Sequence, residues 1–352
     1  MPAFRPIQSL RRRPRRPLRP TTALLGLTLL LSACAGAATP PPSPLPDATG
    51  SLLPPITATA APSASPVPAF PTTLIDDEGA AVVFKAQPKK IVSLTPAETE
   101  VLYAIGAGDR VVGKVEDIAN FPPAAAKVPI VGTFSGVDVE KIVGLGADLV
   151  IAGGSGGTPK DAIDKLRSLH VPVLVVYAPD VAGVLADIEL TGKATGRSAE
   201  AKVLTARMQA DLVGVTTAIG SATKPKVFYE TGDQPSIYGI ASNSVYAQMI
   251  ELAGGNPITT GSATNWEMPT EQLITANPDL IILGDSAYGV TADAVARRPG
   301  WAGIAAVKAG AIKPIDDILV TRPGPRLVDG LRLLVRAIHP EIVLPSPAPS
   351  GG

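Results

Sequence analysis

The sequence predicts an α/β protein made of two related halves, each a parallel sheet with helices on both faces, joined by a helical stretch. Three observations carry this. A 17-residue pattern occurs twice without a gap, 131 positions apart: VEKIVGLGADLVIAGGS from Val139 to Ser155 and TEQLITANPDLIILGDS from Thr270 to Ser286, identical at six positions. Strand-like and helix-like segments alternate in both halves, the order that gives parallel strands with crossover helices. Between the halves, Leu204, Met208, Leu212, Val215 and Ile219 recur at spacings of 4, 4, 3 and 4, the period of one helix face.

In the first half, Ile91 to Leu94 reads as a buried strand, and Thr95 with Pro96 reads as N-cap and first residue of a helix that runs to Ile105 and stops at Gly106. Strands follow at Val111 to Val115, Asp148 to Ala152 and Val171 to Tyr177, with helices at Val139 to Leu145 and Pro159 to Leu169. The helical stretch from Ser198 to Ile219 would be roughly 33 Å long at ~1.5 Å per residue, enough to run along both halves. In the second half the strands are Lys226 to Tyr229, before a loop starting at Glu230, and Leu280 to Leu283. Helices span Asn243 to Ala253 and Leu327 to Ile338, the latter ended by His339-Pro340.

Both ends of the chain fall outside this pattern. Seven arginines between Arg5 and Arg19 precede an apolar run from Ala23 to Leu31, which reads as a secretory signal over residues 1–33. The run is far below the ~20 residues of a membrane-spanning helix. Residues 34–71 hold 11 prolines after Cys34 and only one charge, Asp47, so they cannot build a core and read as an extended linker. The rest divides into an N-terminal lobe at 72–182, a connecting helical segment at 183–224 and a C-terminal lobe at 225–344, with a disordered tail at 345–352. Without the signal, 24 Lys and Arg stand against 31 Asp and Glu, a net charge of −7. An acidic chain with no clustered basic face argues against nucleic acid as a partner.

Catalytic signatures are missing from the sequence: no nucleophile elbow, no paired histidines at helical spacing, and a single cysteine, so the chain is not expected to be an enzyme. His170 and His339 read as structural, and they cannot assemble a zinc or manganese cluster. Ligands of open parallel sheets lie beyond the carboxyl ends of the strands, which points to Thr95, Asp117, Phe134, Gly153, Ser155, Thr231, Tyr238, Ser286 and Tyr288. Arg322 joins this set. The loop Gly153-Gly154-Ser155-Gly156-Gly157, before a helix capped by Thr158 and Pro159, is a cleft loop, an anion cradle or a flexible turn. Phe134, Tyr238, Trp266 and Tyr288 fall in loops, where rings suit a large flat ligand or pack loops onto the lobes; Trp301 reads as core. Glu140 and Glu271, at equal places in the two copies, either complement a helix dipole, worth roughly 0.3–1 kcal/mol, or form paired acidic knobs for a two-subunit partner.

The segments KKIVSLTPAETEVLYAIGAGDRVVGK, VEKIVGLGADLVIAGG, VYAQMIELAGGNP, PTEQLITANPDLIILGD, RPGWAGIAAVKAGAI and RPGPRLVDGLRLLVRAIHP together resemble the iron-siderophore and cobalamin class of periplasmic substrate-binding proteins of ABC importers. The resemblance covers about Lys89 to Glu341, and places the binding domain at about residues 89–344. It implies the class III fold, two Rossmann-like lobes joined by a single long helix at Ser198 to Ile219. It also implies a ligand between the lobes, an iron-siderophore or a corrinoid, with no resident cofactor or metal. The implied partner is a permease dimer with its ATPase subunits, docked through Glu140 and Glu271. Leu31-Ser32-Ala33-Cys34 resembles a lipoprotein cleavage box, which implies a lipid on Cys34 and a monomeric, extracytoplasmic, membrane-anchored protein. Where the family has a serine before the second glutamate, this chain has Pro269, so Thr270 is expected to cap the helix. Two other readings stand beside this one: a haem receptor of the same fold with Tyr238 or Tyr288 as ligand, and an α/β enzyme using the glycine loop for a nucleotide.

Overall fold

A computed structural model describes residues 70–133, 136–154 and 157–347. The signal, Cys34 and nearly all of the proline-rich linker lie outside the described residues, as do Phe134 and Ser155.

The first lobe opens with an antiparallel hairpin, β1 (Thr72–Ile75) and β2 (Ala81–Phe84), turned by Asp76, whose Oδ1 accepts from the Glu78 and Ala80 amides. Phe70 meets Phe84 edge-on at 6.5 Å, so Phe70, read as part of the linker, is packed against the first lobe. Then come β3 (Ile91–Ser93), α1 (Pro96–Ala104), β4 (Val111–Val115), β5 (Ile130–Thr133), β6 (Gly136–Val137), α2 (Val139–Gly144), β7 (Leu149–Gly153), α3 (Lys160–Ser168) and β8 (Val173–Val176). The strands form one sheet in the order β6-β5-β4-β3-β7-β8, parallel except for β6. β3, β7 and β8 are buried at every residue, as expected of strands covered on both faces.

Two helices follow where the sequence suggested one. Helix α4 (Val181–Thr195) starts on the Asp180 side chain, which caps the Gly183 amide, and ends at Gly196, whose φ of +69° suits a left-handed C-cap. Its glycines and threonines conceal it from propensity. Helix α5 (Ser198–Ile219) has the expected bounds and packs against α4. A Cβ at Gly192 would lie 2.5 Å from the Ala201 Cβ, so the glycine permits this close crossing.

The second lobe comprises β9 (Lys226–Glu230), α6 (Val245–Leu252), β10 (Asn256–Ile258), α7 (Thr270–Ala276), β11 (Leu280–Leu283), α8 (Ala292–Ala296), α9 (Ala305–Lys308), β12 (Ile312–Pro314), α10 (Asp317–Val320) and α11 (Leu327–Ile338). Its strands are all parallel, in the order β10-β9-β11-β12. Most sequence-predicted boundaries shift by one or two residues. Asn243 has φ +58°, so α6 begins after it, with Ser244 as cap. Glu230 belongs to β9 rather than to a loop. Pro345, read as the start of a disordered tail, is held by the Arg332 guanidinium, which donates to its carbonyl.

One apolar cluster runs through the molecule. Ile91, Leu102 and Ile151 of the first lobe join Ile188 of α4 and Leu204, Met208 and Val215 of α5. These join Val227, Ile250, Leu331 and Val335 of the second. The two sheets therefore share a core across the helix pair, while each outer layer has a smaller core of its own.

Candidate functional site

The carboxyl ends of β3, β4, β7 and β8 in the first lobe face loops of the second across a cleft of about 770 Å³. This volume lies within the range of ligand pockets, ~300–1,000 Å³. Thr95, Asp117, Gly153, Trp266, Tyr288 and Arg322, six of the ligand-site residues expected from sequence, line it. Thr95 follows β3 and caps α1 by accepting from the Glu98 amide at 3.1 Å. Gly153 is needed for close approach, since a Cβ there would sit 2.8 Å from the Thr95 methyl. The neighbouring Gly154 is as tight, with a Cβ 3.0 Å from the Tyr177 side chain.

Other expectations are corrected. Tyr238 is not in the cleft: its backbone pairs with Gly232 and Glu267, which fixes it in a loop-to-loop ladder. Thr231 points to the Gly239 carbonyl and Ser286 to that of Ile315. Gly284 packs against Tyr229 and Asp317, so the second copy of the repeat ends in packing where the first ends in a cleft wall. Thr158 does not cap α3; its Oγ1 accepts from the Gly153 amide at 3.1 Å and pins the glycine loop. Thr270 does not cap α7 either, because it is the first helical residue.

The lining also includes side chains that sequence reading missed. Tyr177 directly follows β8, so the strand-end rule covers it too. Glu98 and Asp187 are carboxylates on the buried faces of α1 and α4, a signal that helical phasing would have exposed. Tyr246, in the first turn of α6, meets Trp266 edge-on at 5.7 Å, and its hydroxyl donates to the Thr321 carbonyl. Burial, with Asp317 and Tyr177 nearby, pushes that phenol up to about 12.

Carboxylates dominate the electrostatics. Burial pushes Glu98 up to about 7 against the hydrogen bond it accepts from Thr191, and Asp77 adds to the rise. Burial also raises Asp187 to about 9, helped by Asp77, Glu98 and Asp180. Asp117 moves the other way. Burial favours its neutral form, but Arg322 and the amides of Ala119 and Phe121 outweigh it and hold the group below the usual range.

Arg322 and Arg326 of the second lobe reach the first. Arg322 donates to Asp117 at 2.5 and 3.1 Å and to Glu100 at 3.2 Å. Arg326 donates to both Glu100 oxygens, at 2.8 and 2.6 Å, and lies 3.8 Å over the Phe121 ring. The result is an ionic pin between the lobes at the cleft.

Glu140 and Glu271 are both exposed, in the first turns of α2 and α7. Among the described residues no group of three or more His, Cys, Asp or Glu is placed to hold a metal ion.

The described geometry matches known proteins. The periplasmic binding protein family profile matches residues 91–319. The uncharacterized ABC transporter substrate-binding lipoprotein YvrC of Bacillus subtilis (strain 168) is 36% identical over 278 residues, covering 77% of this chain and 87% of that protein. A cobalamin-binding protein of Halobacterium salinarum is 27% identical over 331 residues, 91% of this chain and 84% of its own. Among solved structures, the periplasmic heme-binding protein RhuT from Roseiflexus sp. RS-1 superposes with a TM-score of 0.63 at 25% identity, covering 72% of this chain and 98% of that one. The periplasmic vitamin B12 binding protein BtuF of Vibrio cholerae, 24% identical with a TM-score of 0.63 over 71% of this chain and 96% of its own, shares the fold. Two lobes on a helical backbone, a cleft between them and these matches establish that the chain belongs to the periplasmic binding protein family.

Proposed function

We propose that this protein is the extracytoplasmic substrate-binding lipoprotein of an ABC importer, holding a corrinoid or an iron-siderophore between its lobes. The observation that carries the ligand size is the cleft of about 770 Å³, walled by Trp266, Tyr177, Tyr246 and Tyr288, because rings on an open cleft suit a large, rigid ligand. The names of the cobalamin-binding and lipoprotein relatives support the corrinoid and the anchor at Cys34. Glu140 and Glu271 dock on the paired permease subunits, one from each lobe. No covalent chemistry is required: the protein captures its ligand outside the membrane and releases it to the permease.

Titration with cyanocobalamin and a set of ferric siderophores, read by calorimetry and by tryptophan fluorescence, is expected to find a ligand with a submicromolar Kd, roughly −8 kcal/mol or better. Absence of binding across the set would sink the reading. The haem alternative keeps one observation in its favour, the 72% exposed Tyr288 at the cleft. Addition of haem, with a Soret shift lost in Tyr288→Phe, is the result that would select it.

A further inference from the structure

The cleft is rich in carboxylates and offers a ligand no free cation among its described lining residues. Glu98, Glu116, Asp117, Asp187 and Asp317 line it against a single basic side chain, Arg322. Arg322 is already committed: its side chain is 11% exposed and its guanidinium donates to Asp117 and Glu100. Arg326, the next cation along the chain, is spent on Glu100. Lys114, buried on β4, is not part of the lining. Residues 134–135 and 155–156, which interrupt the described chain, are Phe, Ser, Ser and Gly and add no charge.

A ligand carboxylate entering this space would give up water without gaining a free counter-ion. An N–H donor meets the opposite situation. Carboxyl oxygens of Glu98, Asp187 and Asp317 stand among the lining as acceptors, and a cationic group there would favour the ionised forms of Glu98 and Asp187, which burial first and the neighbouring carboxylates second disfavour in its absence.

Resting on the reading of this cleft as the ligand site, we propose that it selects uncharged or cationic ligands rimmed with N–H donors and rejects those that present carboxylates. Rejection is built from a missing counter-ion rather than from shape, which is how a binding site excludes near-isosteric competitors.

Matched pairs test the charge alone. Cyanocobalamin is compared with its monocarboxylate, in which one side-chain amide is hydrolysed, and ferrioxamine B with its N-succinyl derivative, by calorimetry at low ionic strength. The uncharged or cationic member of the pair that binds is expected to be tighter by at least about tenfold, with haem weaker still. The ratio should narrow in Ile318→Lys, which gives the cleft wall a free cation, and narrow with added salt. Equal or tighter binding of the carboxylate form, tighter binding of haem, or a ratio unmoved by Ile318→Lys would overturn the charge selection while leaving the cleft as the ligand site. Failure of every probe, haem included, would instead overturn the cleft reading and this proposal with it.

Discussion

Asp187 concentrates the electrostatic tension of the molecule in one side chain. It is 9% exposed, faces the cleft from α4, and has Asp77, Glu98 and Asp180 around it. In the unfolded chain an aspartate titrates near ~3.9, whereas burial and these neighbours raise it to about 9 in the fold. The folded state therefore holds a proton that the unfolded state has released between these values. The stability linked to Asp187 is fully present below about pH 4 and is lost as pH rises through about 9. Asp187→Asn keeps the shape and removes the titration. The variant is expected to match wild type near pH 4 and to exceed it at pH 9, by on the order of 1–3 kcal/mol. Denaturant midpoints measured across that range check this, and a pH-independent difference would show that Asp187 is not the group under strain. Asp117 has the opposite sign: its lowered value adds stability that is present above the ordinary carboxylate range and lost in acid.

At the scale of elements, the duplicated sequence resolves into two copies of one strand–helix–strand unit, with the repeated aspartates given the same job in both. Asp148 accepts from the amides of Lys89 and Lys90 at the start of β3, and Asp279 accepts from the amide of Lys226 at the start of β9. The lysines answer in kind: Lys90 Nζ donates to the Leu145 carbonyl at the end of α2, and Lys226 Nζ to that of Ala276 at the end of α7. Each unit thus ties the helix C-terminus and the incoming strand to the neighbouring strand, which is why the aspartates repeat. This much was legible because periodicity and caps are local, and so β4, α5, β11 and α11 emerge at their observed bounds. What stayed hidden depends on distant chain. Helix α4 owes its burial to α5, and Tyr238 left the cleft because Gly232 and Glu267 pair with it. The Arg322–Asp117 pair joins residues 205 apart in sequence. The exposed glutamates are a repeated feature whose side chains neither unit uses internally. Glu140→Ala with Glu271→Ala is expected to reduce ligand import more than tenfold, as each lost interfacial charge contact costs about 2–5 kcal/mol of docking, with ligand affinity retained. Parallel calorimetry and uptake measurements separate the two, and an equal fall in affinity would move these residues out of the docking surface.

Across the whole molecule, the helix pair and the ionic pin act together. The apolar cluster passes from the first sheet through α4 and α5 into the second, so separating the lobes exposes core rather than a wetted hinge. The pin adds Glu100, its side chain 2% exposed, which among the described residues pairs with cations of the other lobe alone, Arg322 and Arg326. Domains joined by small polar contacts unfold separately, whereas a shared core makes them cooperative. Both tryptophans, Trp266 and Trp301, lie in the second lobe. Fluorescence therefore reports on that lobe alone, while helical circular dichroism reports on both. The two denaturation curves are expected to coincide in a single transition. Arg326→Met should lower the midpoint, by on the order of 1–3 kcal/mol for a partly buried pair broken on one side, without pulling the curves apart, because the apolar cluster still bridges the lobes. If circular dichroism instead shows a second transition without a fluorescence counterpart, the lobes unfold independently and the shared cluster does not couple them. A coincident shift of both curves on adding ligand would locate the binding energy in the same cooperative unit, as expected for a cleft whose two walls rest on one core.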